Sequence, residues 1–319
     1  MKLYFKLKVF FIKTNARDYR YEILVQIYNL FKNKDFRNFY TELNKIFLFR
    51  KEQKKFRVIS KRKSFSLQGY VFGSDEIWNF ERKRNAKQRI FWGEGLKKSI
   101  VKISYAPSIN NSSENLMKNH KSLYYLKKFN AISVRDIYSK QVMEKILKRQ
   151  VHIVLDPTLL VKREFFFEKE YPVRNEEKFF LIYSYGLNLT PNLILQIQNE
   201  AVKRKCKIIS IGKYFKWADY NICCTPEVFL GYMHKAELVI TDTFHGTVFS
   251  MIYKKKVLIV CGESQKVKAF VNQMKLEEMT YRNEFIICEH YLEIWEKAYE
   301  KIRQYREDSE KYLSILENI

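Results

Sequence analysis

From Gly69 onward, short apolar runs ending in small or charged residues alternate with segments of helical character. This alternation constrains the fold more than any other feature. The runs are "GYVFGSD" (69–75), "IVKISYAPS" (100–108), "FNAISVRD" (129–136), "VHIVLDPTLL" (151–160), "FFLIYSY" (179–185), "CKIISIG" (206–212), "AELVITD" (236–242) and "KVLIVCG" (256–262). Most are apolar on both faces, as strands of a parallel sheet covered by helices on each side must be. Helices are expected between them, at about 113–128, 136–149, 191–204, 226–235 and 246–254. The fold class that follows is α/β, with two Rossmann-like domains whose parallel sheets face a cleft. The charged segment "KREFFFEKEYPVRNEEK" (162–178) reads as the linker, giving domains over 1–165 and 166–319. Residues 1–67 form a divergent, basic, helical region of the first domain. A long amphipathic helix over about 289–317 is expected to pack back across both domains.

The chain has 319 residues and a formal net charge of +24, from 59 Lys and Arg against 35 Asp and Glu. One reading is an anionic partner: nucleic acid, anionic lipid or an acidic glycan. The other is codon bias, since Lys, Asn, Ile, Phe and Tyr are all abundant. Bias is the favoured source of most of the charge, with a benefit at a membrane surface. The basic residues are spread along the chain and no nucleic-acid motif accompanies them, so no nucleic-acid partner is expected. Five cysteines, an odd number without CxxC, read as reduced cytosolic thiols. The longest uncharged stretch, 179–199, is broken by Gly186, Asn188, Pro191 and Asn192 and does not read as a membrane span. The opening "MKLYFKLKVFFIK" has too many lysines for a signal peptide and reads as a packed or amphipathic surface segment. The expected location is cytoplasmic, with peripheral contact at the inner face of an anionic membrane.

Parallel strands align their carboxyl ends, so their polar tips converge on the cleft. The tips are Gly73-Ser74-Asp75, Ser104-Tyr105, Arg135-Asp136, Asp156-Pro157 and Thr241 to Gly246. No spacing is a metal signature, and there is no GxGxxG, P-loop or nucleophile elbow. His245 stands at the head of a helix whose free N–H groups, over 243–248, form an anion site. It can donate to an anionic oxygen or act as a general acid; equally, it can cap or pack the turn. Arg135 is either an anion ligand or salt-bridged, locally to Asp136. Asp75 is a candidate cap of the following helix, and Asp156, before Pro157, reads as a turn residue.

Taken together, "VFGSDEIWN" (71–79), "ISYAPS" (103–108), "AISVRD" (131–136), "VHIVLDPTLL" (151–160) and "ELVITDTFHGTVFSMIYKK" (237–255) resemble the polysaccharide pyruvyl transferases in order and spacing, over roughly 68–282. The resemblance implies a GT-B-like fold and transfer of the enolpyruvyl group of phosphoenolpyruvate to a sugar hydroxyl pair. The acceptor would be a cell-surface polysaccharide or its lipid-linked precursor. Phosphoenolpyruvate is the donor substrate and no further cofactor is expected; no metal is expected either, because no carboxylate cluster is spaced for Mg²⁺. By this resemblance His245 faces phosphoenolpyruvate and is the candidate proton donor, Arg135 clamps one anionic group, and Asp75 is a base or acceptor-sugar ligand. Ser74, Ser104, Tyr105, Thr243, Phe244, Gly246 and Lys266 are the expected substrate contacts. Three features depart from the family pattern. The opening strand and small-residue loop are not visible in 1–67, so the first domain reads as incomplete at its N-terminus. Thr243 stands where some members have Arg. Lys266 stands about where Arg is common, and "KKKVLIV" lacks the usual Pro. The alternatives are a degenerate, non-catalytic GT-B-like protein binding anionic glycan or lipid, and a nucleotide-sugar glycosyltransferase.

Overall fold

A computed structural model of the chain describes residues 11–12, 19–55, 58–59, 69–96, 99–173 and 177–315. The reading of the first ten residues lies outside these. Near the start, the two-residue strands β1 (Phe11–Ile12) and β2 (Val58–Ile59) pair in parallel, joined by helices α1 (Tyr19–Asn33) and α2 (Phe36–Gln53). A parallel pair needs a long crossover, and the two helices supply it. A short β–α–α–β unit therefore stands where a purely helical region was expected.

The first sheet is assembled from pairs. β3 (Gly69–Gly73), followed by the short α3 (Lys83–Lys87), pairs in parallel with β4 (Val101–Tyr105). The single helix expected at 113–128 is two, α4 (Glu114–Asn119) and α5 (Ser122–Leu126). The break falls at His120, which turns to an extended backbone with ψ 137° while its ring packs against Phe80 and Trp92. β5 (Ser133–Val134), α6 (Ile137–Leu147) and β6 (His152–Ile153) complete this half, with β5 and β6 parallel. Between β4 and β5 the ladder shrinks to one bridge, Ile103 to Ala131. Side chains replace it. Ser104 Oγ donates to the Ser133 carbonyl at 2.8 Å and accepts from the Ser133 amide at 2.9 Å, and Ser133 Oγ donates to the Ser104 carbonyl at 2.8 Å. Trp78, Trp92 and Leu126 are fully buried beneath these strands.

α7 (Pro157–Leu160) precedes the segment expected as a linker, which is itself partly helical, carrying α8 (Arg163–Lys169). Phe166 anchors α8 in the second half, its ring edge-on to Phe249 at 5.5 Å. The second sheet is continuous. β7 (Phe179–Tyr183), α9 (Pro191–Lys203), β8 (Lys207–Ile211), β9 (Tyr220–Ile222), α10 (Pro226–Lys235), β10 (Leu238–Thr241), α11 (Phe244–Ile252), β11 (Val257–Ile259) and α12 (Gln265–Met274) give the order β11-β10-β7-β8-β9, all parallel. Its period-two pattern is buried on both faces: Phe179, Leu181, Val239 and Ile259 enter one core, and Phe180, Ile182, Ile240 and Leu258 the other. Thr190, Thr225, Thr243 and Ser264 each cap the next helix by accepting a hydrogen bond from an amide of its first turn. Two Rossmann-like halves of this kind, facing a cleft, make the fold α/β with parallel sheets. The final helix, α13 (Tyr291–Leu313), starts on the second half with Trp295 and Ile302 buried there. It ends on the first, where Ser309 Oγ accepts from the Leu155 amide at 2.9 Å and Tyr312 OH donates to the Ser104 carbonyl at 2.7 Å. No described helix is long and apolar enough to cross a membrane.

Candidate active site

The tip of β10 is built by hydroxyls. Thr241 Oγ1 donates to the Tyr183 carbonyl at 2.6 Å and accepts from the Thr243 amide at 3.1 Å. Thr243, the N-cap of α11, accepts from the Gly246 amide at 2.9 Å. A Cβ on Gly246 would lie 2.0 Å from Thr241 Oγ1, so this close approach requires glycine. Asp242 is buried and accepts from the Tyr185 amide at 2.8 Å. The turn thereby presents His245, half-buried at the second position of α11, toward the first half.

There its Nε2 stands 3.8 Å from Oδ1 of Asp156. At that distance the contact is electrostatic and too long for a hydrogen bond. The other carboxylate oxygen of Asp156 accepts from Arg135 Nη1 at 3.0 Å. Arg135 and Asp156 are both buried, at 6% and 3% exposure, so neither charge is tolerable without the other. Burial would raise the Asp156 carboxyl. The approach of His245, the charge of Arg135 and a hydrogen bond from Thr158 reverse this and hold it well below the usual carboxylate range. Asp156 also caps α7, so the reading of it as a turn residue is correct locally and incomplete. It is the centre of the cluster; its tip was expected at the cleft, but with no site role for the carboxylate. Arg135 pairs with Asp156 rather than with Asp136, whose carboxylate caps α6 through the amide and hydroxyl of Ser139.

A second acidic group enters from the first tip. Oδ1 of Asp75 lies 3.5 Å from both Arg135 Nη2 and Lys266 Nζ, bridging a cation of each half. Its side chain is exposed, yet the surrounding walls still desolvate it and would raise its carboxyl; Lys266 first and Arg135 next lower it below the ordinary value. Asp75 sits at φ 58°, in a turn, and caps no helix; that expectation is corrected. Lys266, on α12, is mostly buried and also lies 3.9 Å from Glu76. Burial and then the Arg135 charge lower its ammonium, against the pull of Asp75 and Glu76. Both cations also lie over the Phe244 ring, Arg135 at 5.1 Å and Lys266 at 4.9 Å from its centroid. Beyond Lys266 opens a cleft of about 390 Å³, lined by Ser108, Asn110 and Tyr138 of one half and Gln265 and Ala269 of the other.

The structure thus brings together Asp75, Arg135, Phe244, His245 and Lys266. Ser74 is half-buried beside them in the turn after Gly73, where a Cβ would meet the Tyr105 carbonyl at 1.8 Å. Thr243 and Gly246 shape the turn from behind, with Thr243 Oγ1 spent on the cap. Ser104 and Tyr105 do not reach the cleft. Ser104 is engaged with Ser133, and Tyr105 OH donates to the Leu155 carbonyl at 2.9 Å, so their expected role as substrate contacts is corrected to a structural one. Among the described residues, Arg135 Nε and Asp242 Oδ2 are buried without a hydrogen-bond partner. Among the described residues one group, Glu278, Cys288 and His290, gathers three possible metal-ligand atoms within 4.8 Å; none belongs to the cleft.

A family model described as polysaccharide pyruvyl transferase matches residues 9–262. The match extends into the basic N-terminal helices and stops short of the 282 expected. No curated protein sequence matches significantly. Similar solved structures include a Methanocaldococcus jannaschii UDP-GlcNAc 2-epimerase, at TM-score 0.41 and 13% identity, covering 87% of this chain and 81% of that one. The Streptomyces nogalater glycosyltransferase SnogD gives 0.41 at 8% identity, with 88% and 79% covered. A Listeria monocytogenes chain with the same epimerase designation gives 0.43 at 8%; 71% of this chain spans 64% of that one.

Proposed function

Because the chain belongs to the polysaccharide pyruvyl transferase family, we propose that it moves the enolpyruvyl group of phosphoenolpyruvate onto two hydroxyls of a cell-surface polysaccharide or its lipid-linked precursor. The observation that carries this reading is the meeting of Arg135, His245 and Lys266, drawn from both halves, around Asp156 and Asp75. Phosphoenolpyruvate brings a carboxylate and a phosphate, and a site for it needs cations placed in advance for both. Asp75 Oδ1, 3.5 Å from two cations and itself exposed, marks the seat that a substrate anion takes when Asp75 turns toward solvent. The N-terminus of α11 then faces the phosphate.

The reaction balances with these groups. A proton adds to the methylene carbon of the enol, a sugar oxygen attacks C2, inorganic phosphate leaves, and the second hydroxyl oxygen closes the ketal. The two hydroxyls lose one proton each; in the net balance one is on the new methyl group and the other on phosphate. His245 is the proton donor to carbon. Asp156, kept ionised, faces its Nε2 across 3.8 Å. Asp75, once displaced from the cations, accepts a proton from the acceptor sugar.

The test is phosphate release from phosphoenolpyruvate with lipid-linked oligosaccharide acceptors. His245→Ala is expected to fold and to lose about 10²–10⁴-fold in turnover, while His245→Gln keeps phosphoenolpyruvate binding and loses rate. A loss well under tenfold for both would make the histidine structural. Absence of phosphate release from the wild-type chain with every acceptor would favour a binding protein instead.

A further inference from the structure

Outside the cleft, the most unusual surface is the turn joining α1 and α2. Phe31 and Phe36 flank it and are 77% and 72% exposed. Behind them the apolar positions continue along each helix. Leu24, Ile27, Tyr28 and Phe31 follow the i, i+3, i+4, i+7 spacing of one helix face, and Phe36, Tyr40 and Phe47 follow i, i+4, i+11; all seven are exposed. A folded protein normally turns such stripes inward, and an exposed apolar patch of this extent marks a surface meant to be covered.

The charges around it have one sign. Among the described side chains from 23 to 55, the exposed charged residues are Lys32, Lys34, Arg37, Arg50, Lys51, Lys54 and Lys55. The three acids of the same segment, Asp35, Glu42 and Glu52, are half-buried and engaged: Asp35 caps α2, Glu42 pairs with Lys45, and Glu52 pairs with Lys55. The turn itself places two phenylalanines and three free-standing cations within seven residues. Lys45 Nζ donates to the Gly212 carbonyl at 2.9 Å and Lys55 lies 3.4 Å from Glu227, so α2 is fastened to the second half at the carboxyl end of β8 and the start of α10.

We propose that the α1–α2 turn docks this protein on an anionic lipid bilayer, with Phe31 and Phe36 entering the headgroup boundary and Lys32, Lys34 and Arg37 meeting lipid phosphates. Aromatic and apolar residues ringed by cations suit an interface whose surface is negative and whose interior is hydrocarbon. A second copy of the chain is disfavoured as the occupant, because it carries +24 and the same cations. The docking surface stands apart from the transfer chemistry, and its test contains no substrate, so the two readings fail separately.

The experiment is co-sedimentation of the full chain with vesicles of phosphatidylcholine alone and with equimolar phosphatidylcholine and phosphatidylglycerol, alongside light scattering without lipid. Binding is expected on the anionic vesicles and not on the neutral ones, and it should weaken with salt. The variants Phe31→Ser/Phe36→Ser and Lys32→Glu/Arg37→Glu should each bind about tenfold or more weakly, with circular dichroism and melting unchanged because all four residues are exposed. Phe31→Trp gives a second readout, a blue shift of emission on mixing with anionic vesicles only. Equal binding to neutral vesicles, full binding by either double variant, or no shift of the tryptophan would overturn the proposal. So would a wild-type dimer that Phe31→Ser/Phe36→Ser dissolves, since the patch would then be an interface between copies.

Discussion

The two sheets solve the same problem by different means. In the second, five strands pair backbone to backbone, and the hydroxyls and carboxylates at the strand ends remain available for the turns that follow. In the first, the ladder between β4 and β5 is one bridge wide, and Ser104 and Ser133 supply with side chains what the backbone does elsewhere. The lesson concerns what a polar residue at a strand tip is for. Where the ladder is complete, as at Thr241 to His245, the tip can face a ligand. Where it is incomplete, as at Ser104 and Tyr105, the tip is consumed in holding the sheet together. Arg135 escapes that fate by reaching past the end of β5 to Asp156.

The largest test of this contrast is Asp156→Ala. It leaves the buried Arg135 guanidinium without its main partner and is expected to cost about 3–5 kcal/mol in chemical denaturation. Asp156→Asn, which can still cap α7, should cost less. A loss below 1 kcal/mol for Asp156→Ala, an order-of-magnitude threshold, would mean that Asp75 alone satisfies the arginine. Next comes a matched pair of serines. Ser104→Ala leaves the buried Ser133 amide unsatisfied and should cost about 1–3 kcal/mol, with faster amide exchange confined to β4 and β5. Ser210→Ala, on β8, loses only a hydrogen bond from Ser210 Oγ to the Lys213 carbonyl and should cost about 0.5–1.5 kcal/mol. Equal effects in the two sheets would remove the distinction.

The smallest expected effect is in acid. The carboxyls of Asp156 and Asp75 are both lower in the folded protein than in the unfolded chain. Their contribution is therefore present above the unfolded value, about 3.9, and is lost as pH falls below it toward the folded values. Asp156 is buried and should carry most of this slope; Asp75 is exposed and solvent screening weakens its share. Denaturation between neutral pH and pH 3 should show a shallower decline in Asp75→Asn and the shallowest in Asp156→Asn. An unchanged slope in both would assign the acid sensitivity to other carboxylates.

The strands were legible because an apolar run with both faces covered has few other uses, and β7, β8, β10 and β11 lie where such runs predicted. His245 was legible as a polar residue between strand and helix. Asp156 was not, because Asp before Pro already has a sufficient local explanation, and its partners come from elements distant in sequence. Its place at the end of an apolar strand, beside the Arg135 tip, was the available signal. Ser104 failed in the opposite direction: nothing in "ISYAPS" reveals that the neighbouring strand is only two residues long and needs its hydroxyl. The helix break at His120 depended on a ring filling a gap beside Trp92, which periodicity does not record. The β1–β2 pair rests on a partner forty-seven positions away, as the register of Phe11 with Val58 shows.

The polypeptide passes between the two halves twice, once through the segment carrying α7 and α8 and once along α13. Two covalent crossings define a line, and any widening of the cleft must turn about it. Leu155 ties the first crossing to the second through its amide hydrogen bond to Ser309 of α13, and Asp156 is its neighbour in the chain. The Arg135–Asp156 pair therefore stands beside this tie, whereas Asp75 and Lys266 meet from opposite walls. Any widening between those walls would part the bridging carboxylate from one of its two cations, so the distance between the halves and the charge balance around Asp75 change together.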